Sequence, residues 1–305
     1  MEREYWHVTI AAILSGALVF GSRILAEMGI SLYQLSVFSL VFIVVLLPFV
    51  TFKKEYRIRK EMLKLFAVLG FVAAMACFTE FGPVFLGVPV AVVVLLLYTQ
   101  PLWTTFLGRM FLHEKITRWK LLAVVLVIAG VASIVNPFNV NSLGSIFGVM
   151  LALAGGVLLS VWVILARVAG LRKYNPVTTK LGDSIFTIMY LLMLYPFLSL
   201  FVKDPSIMDI SPGMPPVVWL YLGLFSIFII TLPNILYFQG ARKVPASIAG
   251  IILLLEPLVA AVLAAVFLEQ PITVNIVVGG VLILASNYIV IRKSRKEVIT
   301  SEGAS

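Results

Sequence analysis

Cysteine is almost missing from these 305 residues: Cys77 stands alone, in an apolar run. No disulfide can close within the chain, and a thiol-based metal site is excluded with it. The two histidines, His7 and His113, have no acidic or thiol partner at metal-ligand spacing, so no metal and no cofactor is expected. Charge is scarce as well. Charged residues make up 12% of the chain, against about 25% in soluble domains. Phosphate-loop, zinc-protease and serine-hydrolase patterns (G-x-x-x-x-G-K-[ST], H-E-x-x-H, G-x-S-x-G) do not occur. An ATPase site and the common hydrolytic sites are therefore absent from this chain. No aspartate cluster could hold a divalent ion for lipid head-group chemistry, and no stretch resembles a carbonyl selectivity filter.

What is present is apolar. Hydrophobic residues make up 61% and the mean hydropathy is +1.09, the composition of an integral membrane protein whose solvent is the lipid bilayer. Ten spans can be counted, at 8–28, 32–52, 62–82, 88–110, 118–136, 144–166, 180–201, 217–240, 245–268 and 272–291. Each is long enough for a helix to cross the ~30 Å hydrocarbon layer. No small-x-small cleavage site follows the first run, which is read as a retained helix.

The net charge of +9 does not point to nucleic acid, because the basic residues sit in short loops between spans and no Lys/Arg tail with interleaved aromatics appears. Of the 23 Lys and Arg, all but Arg23 and Lys203 fall on one side of a ten-span arrangement. The excess of basic residues in cytoplasmic loops then places both termini in the cytoplasm.

The stretch from Ala241 to Thr273 has an earlier copy from Val88 to Thr117. Pro89 matches Pro245, Pro101 matches Pro257 and Thr117 matches Thr273, each 156 positions apart (257 − 101), and Gln100 falls on Glu256. Two homologous halves follow, each of five spans. An odd number of spans per half turns the second half upside down relative to the first. The expected fold is all-α and polytopic: ten transmembrane helices as two inverted five-helix repeats, 1–137 and 138–293, with a short tail at 294–305. Inverted repeats place a substrate site between the halves near the midplane.

Few polar groups lie deep. Glu256 stands in the middle of the ninth span, where a charge costs roughly 2.5–3.5 kcal/mol to insert and so calls for a role. Pro257 beside it frees the carbonyl of Leu253 and invites a kink, as Pro101 does in the fourth span. Glu256 either exchanges a proton for a substrate's positive charge or hydrogen-bonds a carbonyl freed by Pro233 or Pro257. Gln100, Tyr98, Trp103, Trp162 and Asn234 are further candidates for substrate contact; Asn234 can instead satisfy backbone near Pro233. Trp162 and Tyr237 fit an aromatic belt, Glu80 and Asp183 read as interfacial, and Glu114 and Glu269 as solvated or locally paired. Arg23 serves either as the i, i+4 partner of Glu27 or in anion recognition. Gly144, Gly148, Ala152, Gly156 and Ser160 form a small-residue stripe suited to close helix packing.

The run YFQGARKVPASIAGIILLLEPLVAAVLAAVFLEQPIT, Tyr237 to Thr273, resembles the second half-repeat of the EamA-like transporters of the drug/metabolite transporter superfamily. Gln100-Pro101 through FLHEKIT to Ala129-Gly130 is similar to the corresponding part of the first half. One departure is His113-Glu114, and Glu269-Gln270 in the second copy, where the family has Gly-Glu. The resemblance implies a secondary carrier of small metabolites, amino acids or amphipathic compounds, read here as a plasma-membrane exporter or exchanger working by alternating access; proton coupling is the expectation that Glu256 adds. It also implies a cavity lined by Gln100, Trp103, Trp162, Asn234 and Glu256. The alternative is an intramembrane enzyme acting on lipid-linked substrates.

Overall fold

The computed structural model describes residues 2–50, 52, 56–86, 88, 90–135, 145–267 and 273–302. It is all-helical, with no strand among the described residues. In chain order the helices are α1 (Glu2–Ser15), α2 (Ala17–Glu27), α3 (Leu32–Val50), α4 (Lys60–Phe85), α5 (Val90–Leu97), α6 (Gln100–Leu112) and α7 (Arg118–Val135). There follow α8 (Ile146–Leu171), α9 (Pro176–Phe201), α10 (Pro205–Met208), α11 (Pro216–Phe225), a π-helical turn (Ser226–Thr231), α12 (Leu232–Gly240), α13 (Ala246–Leu253), α14 (Glu256–Phe267) and α15 (Val274–Glu302). Six helical stretches are long and apolar enough to cross a membrane: Lys60–Glu80, Ile146–Leu171, Pro176–Phe201, Pro216–Gly240, Ala246–Phe267 and Val274–Lys293. Leu32–Pro48 is a shorter apolar helix. The last helix runs on through residues 294–302, where the sequence suggested a solvated tail.

Several spans are broken, each for a local reason. Two breaks fall at the same repeat position. α5 ends at Leu97, Tyr98 and Thr99 form a turn, and α6 starts at Gln100-Pro101; α13 ends at Leu253, Leu254 and Leu255 form a turn, and α14 starts at Glu256-Pro257. Proline has no N–H for the preceding turn and its ring crowds the carbonyl four residues back, so the helix restarts there. Tighter bonds bridge the gaps: Thr99 N–H donates to Leu96 O at 3.2 Å, and Leu255 N–H to Ile252 O at 3.0 Å. The α11–α12 span bulges instead. Thr231 Oγ1 donates to Ser226 O at 2.7 Å and Asn234 Nδ2 to Ile230 O at 2.8 Å, so side chains satisfy backbone just ahead of and beside Pro233.

α7 and α15 hold equivalent places in the two halves (118 + 156 = 274) and pack antiparallel. Ser286 Oγ donates to Ala123 O at 2.7 Å, Ser133 Oγ to Asn275 O at 3.0 Å, and Gly130 lies against Gly279 between them. Under the 156-residue relation the Gly130–Gly279 contact becomes the Ser286–Ala123 contact, so a pseudo-two-fold runs through this crossing.

The small-residue stripe of α8 packs. A Cβ on Gly148 would meet Val88 Cγ2 at 2.5 Å and one on Gly156 would meet Leu96 O at 2.9 Å, which fits α8 tightly to α5. Gly144 lies outside the described residues. The largest apolar core joins α1, α7, α8, α12 and α13 around Val8, Val127, Ile248 and Ile252.

Candidate functional site

Glu256 opens α14 and is half-buried. Gly16, between α1 and α2, lies on its backbone: a Cβ there would fall 3.0 Å from Glu256 O and 2.5 Å from Val259 Cβ. Glycine is required for that approach. The side chain has no hydrogen bond or ion pair among the described residues. The Glu80 carboxyl of α4 and the Tyr98 hydroxyl are near enough to influence it electrostatically. Glu80 is likewise half-buried and without a hydrogen-bond or ion-pair partner among the described residues. α4 and α5–α6 belong to the first half and α14 to the second, so the cluster Glu80–Tyr98–Glu256 bridges the halves.

The other candidates are placed differently. Gln100 is 4% exposed; its Nε2 donates to Thr104 Oγ1 at 2.8 Å, and its carbonyl accepts from Ser160 Oγ at 2.8 Å. It sits in a seam between α6, α8 and α13. Trp103 Nε1 donates to Thr99 Oγ1 at 3.1 Å, which fixes the ring beside the α5–α6 break. Trp162 stacks on Tyr237, centroids 5.2 Å apart and planes 27° apart, and also meets Phe238. Tyr237 is 2% exposed, so the pair is a buried contact between α8 and α12 and not a belt facing lipid.

Asp183 is 3% exposed and accepts from Lys180 Nζ at 3.0 Å; both lie in α9, so Lys180 stands in a helix and not in a loop. Glu114 is paired both locally, with Lys120 Nζ at 3.8 Å, and across the halves: its carboxylate accepts from Ala246 N–H at 2.6 Å and from Ser247 N–H at 3.2 Å and the Ser247 hydroxyl. The side chain of Arg23 and residue Glu269 lie outside what the structure describes. The sequence carried a partial signal for Glu80, a lone acid in an apolar run, but nothing in it indicates which helix face the acid occupies.

Two repeats of apolar helices, broken at matching positions, define a multi-pass membrane protein. The comparisons agree. The model of the EamA-like transporter family matches residues 4–136 and again 146–292. The chain belongs to that family. It is 28% identical over 289 residues to an uncharacterized transporter of Archaeoglobus fulgidus, covering 94% of this chain and 96% of the relative. Over 196 residues it is 28% identical to the uncharacterized transporter YetK of Bacillus subtilis, covering 61% of this chain and 56% of that one. An uncharacterized transporter of Clostridium kluyveri is 24% identical over 310 residues, covering 97% and 95%. A crystal structure described only as that of a protein superposes with a TM-score of 0.74 at 14% identity, covering 94% of this chain and 96% of that one, and shows the shared fold. The family consists of transporters, so the reading as an intramembrane enzyme gives way to transport of a small molecule through a lipid bilayer.

Proposed function

We propose that this chain is a secondary active transporter that exports or exchanges small amine-bearing metabolites by alternating access, with Glu256 as the site where substrate and proton compete. The observation that carries this is a carboxyl, Glu256, without a hydrogen-bond or ion-pair partner among the described residues, at a helix break whose repeat counterpart is broken at the same place. Deep in a low-dielectric layer, such a carboxyl is held either by a proton or by a bound cation. Release of the proton when a cationic amine binds links outward substrate movement to inward proton movement. On this reading Glu80 and Tyr98 join Glu256 in the substrate site, and Trp103, held by Thr99, supplies an aromatic ring. Gln100, Trp162 and Asn234 shape the surrounding helices. The test is uptake and efflux of amines by purified protein in liposomes, with and without an imposed proton gradient. Flux indifferent to the gradient overturns the coupling.

The proposal includes ten spans in two inverted halves, divided at 137/138, with both termini in the cytoplasm of a plasma-membrane protein. Support comes from the loop charges and from the antiparallel packing of the equivalent helices α7 and α15. The loop before α4 and the loop after α9 are repeat counterparts, so inversion puts them on opposite sides. In a Cys77→Ala background, cysteine at Lys60 is expected to react with an impermeant thiol reagent only from the cytoplasm, and cysteine at Lys203 only from outside. Labelling of both from one side would end the inverted arrangement.

Pro101 and Pro257 set the two breaks. Pro257→Ala restores an N–H and lets α13 and α14 join into a straighter helix. We expect transport to slow by about tenfold while folded yield stays near the parent's, since Pro is about 3 kcal/mol unfavourable inside a helix and its loss does not destabilise one. Stopped-flow flux beside size-exclusion yield decides this; parental flux would mean the break is tolerated and not used.

A further inference from the structure

The two halves meet along α6 and α13. α6 lies antiparallel against α13: a Cβ on Gly250 would fall 3.0 Å from Gln100 Nε2 and 3.2 Å from Thr104 Oγ1. The 156-residue relation turns the pair α6–α13 into α14–α5, and those two make no comparable contact among the described residues. The α6–α13 contact therefore seals the halves together at the end that carries the basic loops; of the repeat counterparts of Glu114, Ala246 and Ser247, residue 270 and the side chains at 90 and 91 lie outside what the structure describes.

Glu114 stands at the outermost point of that seal. His113 takes a left-handed conformation (φ 54°), and Glu114 N–H donates back to Gly108 O at 3.1 Å, ending α6 and turning the next side chain across to α13. α13 begins after Pro245 with no side-chain cap of its own half. Its first two N–H groups and the Ser247 hydroxyl are instead satisfied by Glu114, and the carboxylate complements the positive end of the helix. Two more charged groups hold the loop that leads into α13. Arg167 Nη1 donates to Ala241 O at 2.7 Å, and Lys243 Nζ pairs with Glu4 Oε1 of α1 at 2.7 Å.

A cap donated by the other half exists only while α6 and α13 are together. Water can replace it on both sides once they part, so the contact is one that a carrier can make and break in each cycle. We infer that Glu114 is the latch of the inner gate: bonded to Ala246 and Ser247 it holds the α6–α13 seam shut, and its release frees α13, and with it Glu256, to face the cytoplasm. This rests on the alternating-access reading. Glu114 acts through α13 and is a positioning residue, not a substrate contact. The neighbouring clasp does not make the gate acid-sensitive in the physiological range. Its hydrogen bond from Lys243 holds the Glu4 carboxyl down at about 2, so its contribution is fully present above about 4.5 and is lost only as pH falls through about 2.

Thr104 reports on the seam, being fully buried beneath the latch. In a Cys77→Ala, Thr104→Cys protein in sealed vesicles, an impermeant thiol reagent on the basic-loop side is expected to react slowly. Glu114→Gln should raise that rate about tenfold or more, the size expected when a charge-assisted contact holding one state is lost. Glu114→Asp should restore part of the protection. Ser247→Ala removes a single contact and leaves the helix otherwise intact, and should raise the rate about threefold. A cap of purely structural value would lower the melting temperature and leave the sidedness and rate of labelling unchanged. Unchanged labelling in folded Glu114→Gln and Ser247→Ala proteins overturns the latch and leaves the transport reading standing. Equal, rapid labelling of the parent from both faces at once overturns alternating access, and the latch with it.

Discussion

Glu256→Gln is expected to insert and fold normally, yet to transport without regard to the proton gradient and to bind amines weakly. Folding should survive because the carboxyl has no hydrogen bond or ion pair to lose among the described residues, and the amide has nearly the same shape. The natural counterpart of this variant already exists in the chain, since Gln100 occupies the same repeat position in the first half. A hydrogen bond to a charged group contributes about 1.5–3 kcal/mol. Losing one to a bound amine lowers apparent affinity by roughly ten- to a hundredfold. The larger effect is on coupling: glutamine neither binds nor releases a proton, so the dependence of flux on pH over roughly pH 5–8 should flatten. Glu80→Gln removes the second carboxyl of the cluster and should weaken amine binding while leaving some proton dependence through Glu256. Initial rates in proteoliposomes across that pH range decide the matter. Parental rates with the parental pH profile would make Glu256 a structural residue, and the coupling proposal would be abandoned.

Gly279→Leu is expected to cost the most folded protein of any change considered. A Cβ at Gly279 would lie 2.4 Å from Gly130 O, and one at Gly130 2.8 Å from Gly279 O. Both obstacles are backbone, which cannot rotate aside as a side chain can. The helices must part, and the flanking bonds from Ser286 to Ala123 O and from Ser133 to Asn275 O lengthen with them. Overpacking of this kind costs about 3 kcal/mol, and in lipid close packing is itself the main force holding helices together. The expected readout is a markedly lower melting temperature in detergent and little monodisperse protein. Gly213→Ala is the control, because nothing stands within 4 Å of a Cβ there and its φ is not left-handed. Equal melting temperatures for Gly279→Leu and the parent would show that α7 and α15 are not held by this crossing.

The two broken spans were legible without coordinates. Proline acts on the turn before it whatever surrounds it, so Pro101 and Pro257 mark their breaks by position alone, and the repeat spacing ties the two together. The break at Gly16 carried no such mark, because that glycine is needed for the approach of α14, a neighbour distant in sequence. Asn234 was read correctly as a group serving nearby backbone, since its partner at Ile230 O lies one turn away. Trp162 and Tyr237 were misread as a belt, because they stack on each other across two helices that only packing brings together.

The difference has a physical cause. Placement in a bilayer, the helical form of each span and the position of each proline break follow from transfer free energy and local backbone chemistry, which the sequence contains in full. The face each helix turns inward does not. In a water-soluble helix an apolar stripe shows the buried side, but in lipid both sides are apolar and the contrast is gone. So the sequence by itself determined a helical membrane protein in two copies of one unit, with a carboxyl at the second copy's break. Only the tertiary structure decided that Gln100 is held in a seam and that Glu114 of one half caps α13 of the other.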